Sequence, residues 1–398
     1  MMVAMIDFGT LLVIVLAGLA GPLLSLNHRW FVPVVLGEIL AGVLAGPQVL
    51  GALDPTQPTV AFLGEVGFAM LMLTVGMHLP LRDPRLPGSL RGGAVLAAIV
   101  AVLAVPAGLL AALAAGTGHA AIYAVVLASG SAAVLLPAFQ EARLAGPLAL
   151  RVMAQVTIAD IVTILSIPVA LQPSRIGHAA LGTALVAACA ALLLLAAHAA
   201  SPRSWVQGLR ERSKSRRWAL DLRLSLAVLF LLAWLAQKSG TSILIAGFGA
   251  GVMVALLGGP KRLSTQVRGV ADGFFVPLYF VVLGARLDLG GLFTHGSMLL
   301  LAALLVLLNV AIRLLATAVT RVRPAAALAA SAQLGVPAAV ASLGLAQHVL
   351  SSLDATAIVA AALLSLGVGT AGIDLMARDA APAADPGAAG VPGTPAGA

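Results

Sequence analysis

The run Gln155-Val156-Thr157-Ile158-Ala159-Asp160-Ile161-Val162-Thr163 decides how this chain is read. It sits midway along an otherwise apolar stretch from 150 to 171, and roughly 20 such residues are what one membrane-spanning helix needs. A charge at the centre of a bilayer costs about 3 kcal/mol or more, so an aspartate placed there marks a functional site by default. Thr157 and Thr163 stand three residues before and after Asp160, which puts three oxygen-bearing side chains on one helix face. Hard alkali cations prefer such oxygens.

Outward from that run, the composition names the solvent. Of 398 residues, 61% are hydrophobic and only 10% are charged, against about 25% charged in soluble domains. A water-soluble globule is excluded, and so is a disordered chain, which needs low hydrophobicity. The basic balance, 23 Lys and Arg against 15 Asp and Glu, is a small excess spread through loops. The partner it implies is the lipid bilayer and not a nucleic acid. Cys189 is the single cysteine, so neither an internal disulfide nor a cysteine metal site is expected.

Thirteen apolar runs have the length of spans, at about 10–27, 31–50, 60–78, 90–113, 119–142, 150–171, 178–200, 220–237, 240–257, 268–285, 296–320, 323–348 and 354–376. They do not alternate apolar with polar as barrel strands do, so an all-α membrane protein is expected. Loops on one side, with the tail, hold 18 Lys and Arg, six of them between Arg203 and Arg217; the opposite loops hold three, Arg175, Lys238 and Arg286. The positive-inside rule then puts the N-terminus outside and the C-terminus in the cytoplasm, with a bacterial cytoplasmic (inner) membrane as the expected location. The first span reads as a retained helix and not a cleaved leader, because no basic residue precedes it and Arg29 follows it. The expected division is a transmembrane domain over 1–376 and a disordered Pro/Ala/Gly tail over 377–398, with no room for a soluble regulatory domain.

The two halves echo each other. Val75-Gly76-Met77-His78-Leu79-Pro80-Leu81 in span 3 aligns with Leu283-Gly284-Ala285-Arg286-Leu287-Asp288-Leu289 in span 10, and span 2 closes on Gly46-Pro47 as span 9 closes on Gly259-Pro260. Corresponding spans are seven apart, an odd number, so the second copy lies inverted, as in secondary transporters. The same pairing matches span 5 to span 12. One carries Ser129-Gly130-Ser131 and Pro137, the other Gln333-Leu334-Gly335-Val336-Pro337. Glycine and proline interrupt helices, and interrupted spans at corresponding positions are the best sequence pointer to an ion site. A second deep charge, Arg313 in span 11, shares a helix face with Asn309 four residues earlier. It is expected either to pair with Asp160 or to balance the ends of the broken helices. Glu38 and Glu65 read as hydrogen-bonded packing residues. No His-Glu-x-x-His and no Gly-x-Ser-x-Gly occurs, so neither an enzyme nor a cofactor is expected.

At this point the chain resembles the sodium/proton exchanger superfamily, in its Kef-type branch of monovalent cation/proton antiporters. The likeness is carried by Gly37-Glu38 closing on Gly46-Pro47, by Leu73-Thr74-Val75-Gly76-Met77-His78-Leu79, by Ser129-Gly130-Ser131-Ala132 followed by Pro137, and by Phe274-Phe275-Val276-Pro277-Leu278-Tyr279-Phe280-Val281-Val282-Leu283-Gly284. The resemblance implies inverted repeats with two broken crossing helices, a mobile core beside a dimerisation panel, and hence a homodimer. It implies that Asp160 is the essential aspartate and Arg313 the basic residue of the core; from the residues themselves, Thr157, Thr163, Ser129 and Ser131 are the oxygens expected near Asp160, which is expected to bind Na⁺ or K⁺ in competition with H⁺. Ala159 departs from the pattern, since electrogenic members have a second aspartate there. One carboxylate implies one proton for one cation. A sodium-coupled organic-anion symporter of the bile-acid type is the alternative on the same fold.

Overall fold

The computed structural model describes residues 8–26, 34–79, 86–144, 146–173, 176–200, 208, 211–213, 215–216, 218–258 and 261–380. The Gly259-Pro260 step, most of the basic loop Arg203–Arg217 and the tail from 381 fall outside them. The first half of the chain forms α1 (Phe8–Ser25), α2 (Val34–Ala45), α3 (Pro58–Met77), α4 (Leu86–Ala115), α5 (Ala120–Ala128), α6 (Ala132–Glu141), α7 (Pro147–Leu171) and α8 (Ile176–Ala200). The second half forms α9 (Leu220–Lys238), α10 (Ile243–Leu257), α11 (Lys261–Val270), a π turn (Ala271–Phe275), α12 (Val276–Ala285) and the short α13 (Leu289–Thr294). It ends with α14 (Gly296–Val319), α15 (Pro324–Ala330), α16 (Gly335–Ala346) and α17 (Ser352–Ala380). The last helix continues past 376, the expected edge of the tail.

Every expected apolar run is helical among the described residues, but not every one is a full crossing. Among the described residues, eleven helical stretches are long and apolar enough to cross a membrane, with Ala120–Glu141, Arg262–Ala285 and Pro324–Ala346 each counted through an interruption or the π turn. The expected spans 31–50 and 240–257 form helices of only 12 and 15 residues. At about 1.5 Å per residue these fall short of a hydrocarbon core of about 30 Å. The shortening has local causes. α2 stops at Ala45, ahead of Gly46-Pro47, and a turn follows. α10 starts only at Ile243, because Gly240 turns the chain with a left-handed φ of +67° and Ser242 caps the helix by accepting from the Leu244 N–H.

The helices sort into two groups by what they pack against. α2 lies between α1 and α12, and α3 packs on both α10 and α12. Alongside, α4 packs on α5, α7 and α14, while α17 holds α14, α15 and α16. The two groups meet chiefly where α3 touches α6 and α16 and where α10 touches α7. Lipid-facing leucines and valines remain exposed on the outer helices, such as Leu12 and Leu19 on α1, Val102 and Leu113 on α4, and Leu192 on α8.

Among the tightest helix contacts are ones made backbone to backbone. A Cβ built on Gly42 of α2 would stand 2.2 Å from the carbonyl oxygen of Val281, and one on Gly284 of α12 would stand 2.2 Å from that of Ile39. α2 and α12 therefore approach backbone to backbone, the close contact that small residues allow between membrane helices. Backbone cannot rotate away as a side chain can. Gly42→Ala and Gly284→Ala are each expected to cost about 1–3 kcal/mol and to lower the thermal unfolding midpoint in detergent, measured by intrinsic fluorescence. Gly249→Ala in α10, with nothing within 4 Å of its Cβ position, is the control and should leave the midpoint unchanged.

Candidate ion site

Both interruptions occur, and neither falls at a proline. Span 5 breaks at Ser129-Gly130-Ser131, between α5 and α6, and span 12 breaks over 331–334, between α15 and α16. Pro137 lies within α6. Pro337 lies in the first turn of α16, where an N–H would have no intrahelical acceptor in any case. Gly335 opens α16, and Gln333 lies in the break itself. Gly130 lets the first break lie against α7, since a Cβ there would meet Val156 Cγ1 at 2.8 Å.

A broken helix leaves carbonyls at the C-terminal end of its first half and N–H groups at the N-terminal end of its second. Arg313 and Asp160 divide these between them. Arg313, 2% exposed on α14, donates to the carbonyls of Leu127 (3.1 Å) and Ser129 at the end of α5 and to that of Ala330 (2.9 Å) at the end of α15. It also donates to the Asn309 carbonyl (3.0 Å) and to Asn309 Oδ1. Two helix C-termini carry roughly −0.5 each, so one guanidinium offsets both. Asn309 spends both amide hydrogens on the Ser331 carbonyl (3.0 Å) and on Ser365 Oγ (3.1 Å), which fastens the second break to α17.

Asp160 takes the opposite end. Its Oδ2 accepts from the Ala132 N–H at 2.8 Å, the first residue of α6, and Gly130 gives a second backbone contact. A carboxylate on a helix N-terminus is held by the orphan N–H groups and by a partial charge of roughly +0.5. No ion pair joins Asp160 to Arg313, so of the two expectations for Arg313 the structure shows the balancing of helix ends. Asp160 is 3% exposed, and its charge is only partly offset.

The expected oxygens differ in availability. Thr157 is buried, one turn before Asp160, and its Oγ1 has no hydrogen-bond partner. Thr163 instead turns back on its own helix and donates to the Ala159 carbonyl at 2.6 Å. Ser129 and Ser131 are buried in the first break. Ser129 Oγ lies 2.7 Å from the Val126 carbonyl oxygen and 2.8 Å from Gln333 Oε1, so the two breaks touch. Sequence reasoning missed Ser331 and Ser365; a serine within the apolar run Leu363-Leu364-Ser365-Leu366 was the one available signal. The capping carbonyls of Leu127 and Ala330 have no sequence signal at all. Glu38 is buried, and one of its two carboxylate oxygens, Oε2, has no hydrogen-bond partner.

A cleft of about 450 Å³ separates the two helix groups on the face where α3 begins and α12 ends. Glu65, Arg286 and Ser342 stand on its walls. Phe68 and Tyr279, stacked 5.3 Å apart, also line it. Tyr279 donates to the Ala338 carbonyl of α16 at 2.9 Å, a hydrogen bond from one helix group to the other.

Inverted repeats, two interrupted spans and a buried aspartate at one break define a class, the membrane proteins built on the sodium/proton antiporter fold. Residues 11–378 match the family model described as sodium/hydrogen exchanger, transmembrane, and the chain belongs to that family. YjbQ of Bacillus subtilis, a protein named for Na⁺/H⁺ antiport, is 23% identical over 75% of this chain and 50% of its own length. The glutathione-regulated potassium-efflux system protein KefC of an Enterobacter species is 27% identical over 66% of this chain and 42% of its own. The chain thus spans about half the length of these relatives. Among solved structures, the sodium proton antiporter MjNhaP1 of Methanocaldococcus jannaschii superposes with a TM-score of 0.62 over 93% of this chain and 96% of its own, at 16% identity. That likeness shows the fold.

Arg313→Ala should strand carbonyls at the ends of both first half-helices, at about 1–3 kcal/mol for each buried group left unpaired. A fall in the unfolding midpoint of purified protein larger than that of Asp160→Asn is expected. Equal midpoints for the two variants would contradict the capping role.

Proposed function

We propose that the protein is a secondary antiporter exchanging one monovalent cation, Na⁺ or K⁺, for one H⁺, with Asp160 as the group that carries either. The observation that carries this reading is a buried carboxylate that is bonded to a helix N-terminus and not consumed by Arg313. The family and the names of its relatives support cation/proton exchange, and they lend no support to an organic-anion symporter.

The cycle follows from charge. Bare Asp160 is a full charge buried in a medium of low dielectric, steadied by helix dipoles and not by a counter-ion, and it resists movement. A proton or a monovalent cation each add one positive charge, so either cargo brings the core to the same electrostatic state. The loaded core then moves past the panel of α1, α2, α3, α10 and α12, and the cleft beneath Glu65 and Arg286 is the route to the outside in the orientation given by the basic loops. The bare carboxylate does not cross, which couples the two fluxes. A homodimer joined through the panel, in a bacterial inner membrane, is part of the same reading.

With Ala159 beside it, Asp160 is the one carboxylate at the two breaks among the described residues. Exchange should therefore be electroneutral. In proteoliposomes carrying a fluorescent pH reporter, adding Na⁺ or K⁺ should evoke a proton flux, and Asp160→Asn should abolish it while leaving the protein folded. A wild-type flux in that variant would remove Asp160 from the mechanism. Imposing about 100 mV across the membrane, worth roughly 2.3 kcal/mol per charge moved, should leave the flux unchanged. If the potential drives it, Glu38 with its unpartnered oxygen is the carboxylate to substitute next.

A further inference from the structure

Gln333 comes out of the sequence as a residue of the second break with no chemistry of its own. Its surroundings supply some. The side chain is 1% exposed, and its Oε1 lies 2.8 Å from Ser129 Oγ. The same hydroxyl lies 2.7 Å from the Val126 carbonyl oxygen. A serine hydroxyl has one proton to give. With the amide oxygen toward Ser129, that single proton faces two acceptors, while the buried Nε2 of Gln333 has no partner at all.

Both defects vanish together when the carboxamide is turned end for end, since its two ends have nearly the same size and shape. Nε2 then donates to Ser129 Oγ, and Ser129 donates to the Val126 carbonyl in an unbroken chain. The end left over is the carbonyl oxygen. Orphaned buried N–H groups are rarer in proteins than under-used carbonyls, and a carbonyl oxygen is a ligand for a hard cation. Two more oxygens belong to the same stretch of α7, and one of them is bonded to that linker. Asp160 binds the Ala132 N–H, three residues after Ser129. Thr157 Oγ1, one turn before Asp160 and 3% exposed, is also unpartnered.

We propose that the side-chain carbonyl oxygen of Gln333 is a ligand of the transported cation, completing an oxygen set with Asp160 and Thr157 across the linker from Ser129 to Ala132. The proposal rests on the exchange reading above and goes beyond it. An amide oxygen does not titrate near neutral pH, so it strengthens cation binding without strengthening proton binding. Gln333 thereby sets the cation concentration at which Asp160 gives up its proton. Because Gln333 belongs to the second repeat and Asp160 to the first, a bound cation also ties the two interrupted spans together.

The full chain in proteoliposomes tests this, with Na⁺ and K⁺ as separate probes. Gln333→Met keeps the side-chain volume and removes the oxygen. Its KM for the transported cation should rise about tenfold, equivalent to about 1.4 kcal/mol, with the maximal rate at saturating cation within about twofold of wild type. Gln333→Glu restores oxygens without an N–H, and its KM should lie at or below the wild-type value. An unchanged KM in Gln333→Met overturns the proposal, as does a Gln333→Glu variant as impaired as Gln333→Met, which would show that the N–H is what matters. Should Gln333→Met fail to fold, the Gln333→Glu measurement decides alone. Loss of exchange in Asp160→Asn alongside a wild-type KM in Gln333→Met removes Gln333 and leaves the exchange reading standing; exchange that persists in Asp160→Asn removes both.

Discussion

A helix broken inside a bilayer exposes backbone groups that no lipid can satisfy. This protein breaks two, and the interaction on which the rest depends is the set of hydrogen bonds from Arg313 to the carbonyls at the ends of α5 and α15. One guanidinium has five N–H donors in a fixed plane and does not lose its charge in a protein. That suits it to hold two helix ends at once, where a single ammonium offers three donors at one point. Asn309 extends the arrangement by fixing the second break to α17 through Ser331 and Ser365. The interrupted spans are thus built into one unit with α14 and α17, and irregular backbone is kept only where other protein groups pay its hydrogen-bond debt.

The same arrangement frees the aspartate. Had Arg313 paired with Asp160, the two charges would have formed a buried salt bridge, a structural device whose desolvation costs often match its gain. Committed to carbonyls, the arginine leaves the carboxylate with a helix N-terminus for company, a partner that steadies a negative charge without neutralising it. Next to it stand oxygens with spare capacity, Thr157 Oγ1 foremost. Within the panel, α2 and α12 meet through glycine-lined backbone contacts. Tyr279 joins the panel to the interrupted-span unit by one hydrogen bond to the Ala338 carbonyl, a link that can be broken and re-formed at small net cost.

Much of this was legible in the sequence because hydrophobicity and charge placement act there directly. The apolar runs announced the helices, and Asp160 and Arg313 stood out because charge is costly in such runs. The breaks at Ser129-Gly130-Ser131 and around Gln333 were visible as clusters of helix-breaking residues, although the prolines drew attention to the wrong positions. Pro337 sits where its missing N–H costs nothing, and Pro137 is carried inside α6. Other features were out of reach for physical reasons. Backbone carbonyls have no letter in a sequence, so the capping of α5 and α15 by Arg313 could only be offered beside the salt bridge. Thr157 and Thr163 flank Asp160 symmetrically in sequence, yet a threonine hydroxyl can bond its own helix one turn back. Thr163 does so and Thr157 does not. α2 is shorter than its apolar run, because hydropathy continues through Gly46-Pro47 while the helix stops at Ala45.

The claim at the centre is that one carboxylate carries either a proton or a cation and never both. Proton release on cation binding measures this without transport. Purified protein in weakly buffered detergent solution, near neutral pH, is mixed with Na⁺ or K⁺ while a pH indicator records the protons set free. About one proton per chain should be released as the cation saturates, and none from the Asp160→Asn variant. Equal release from wild type and variant, or cation binding to the wild type with no release at all, would contradict the account.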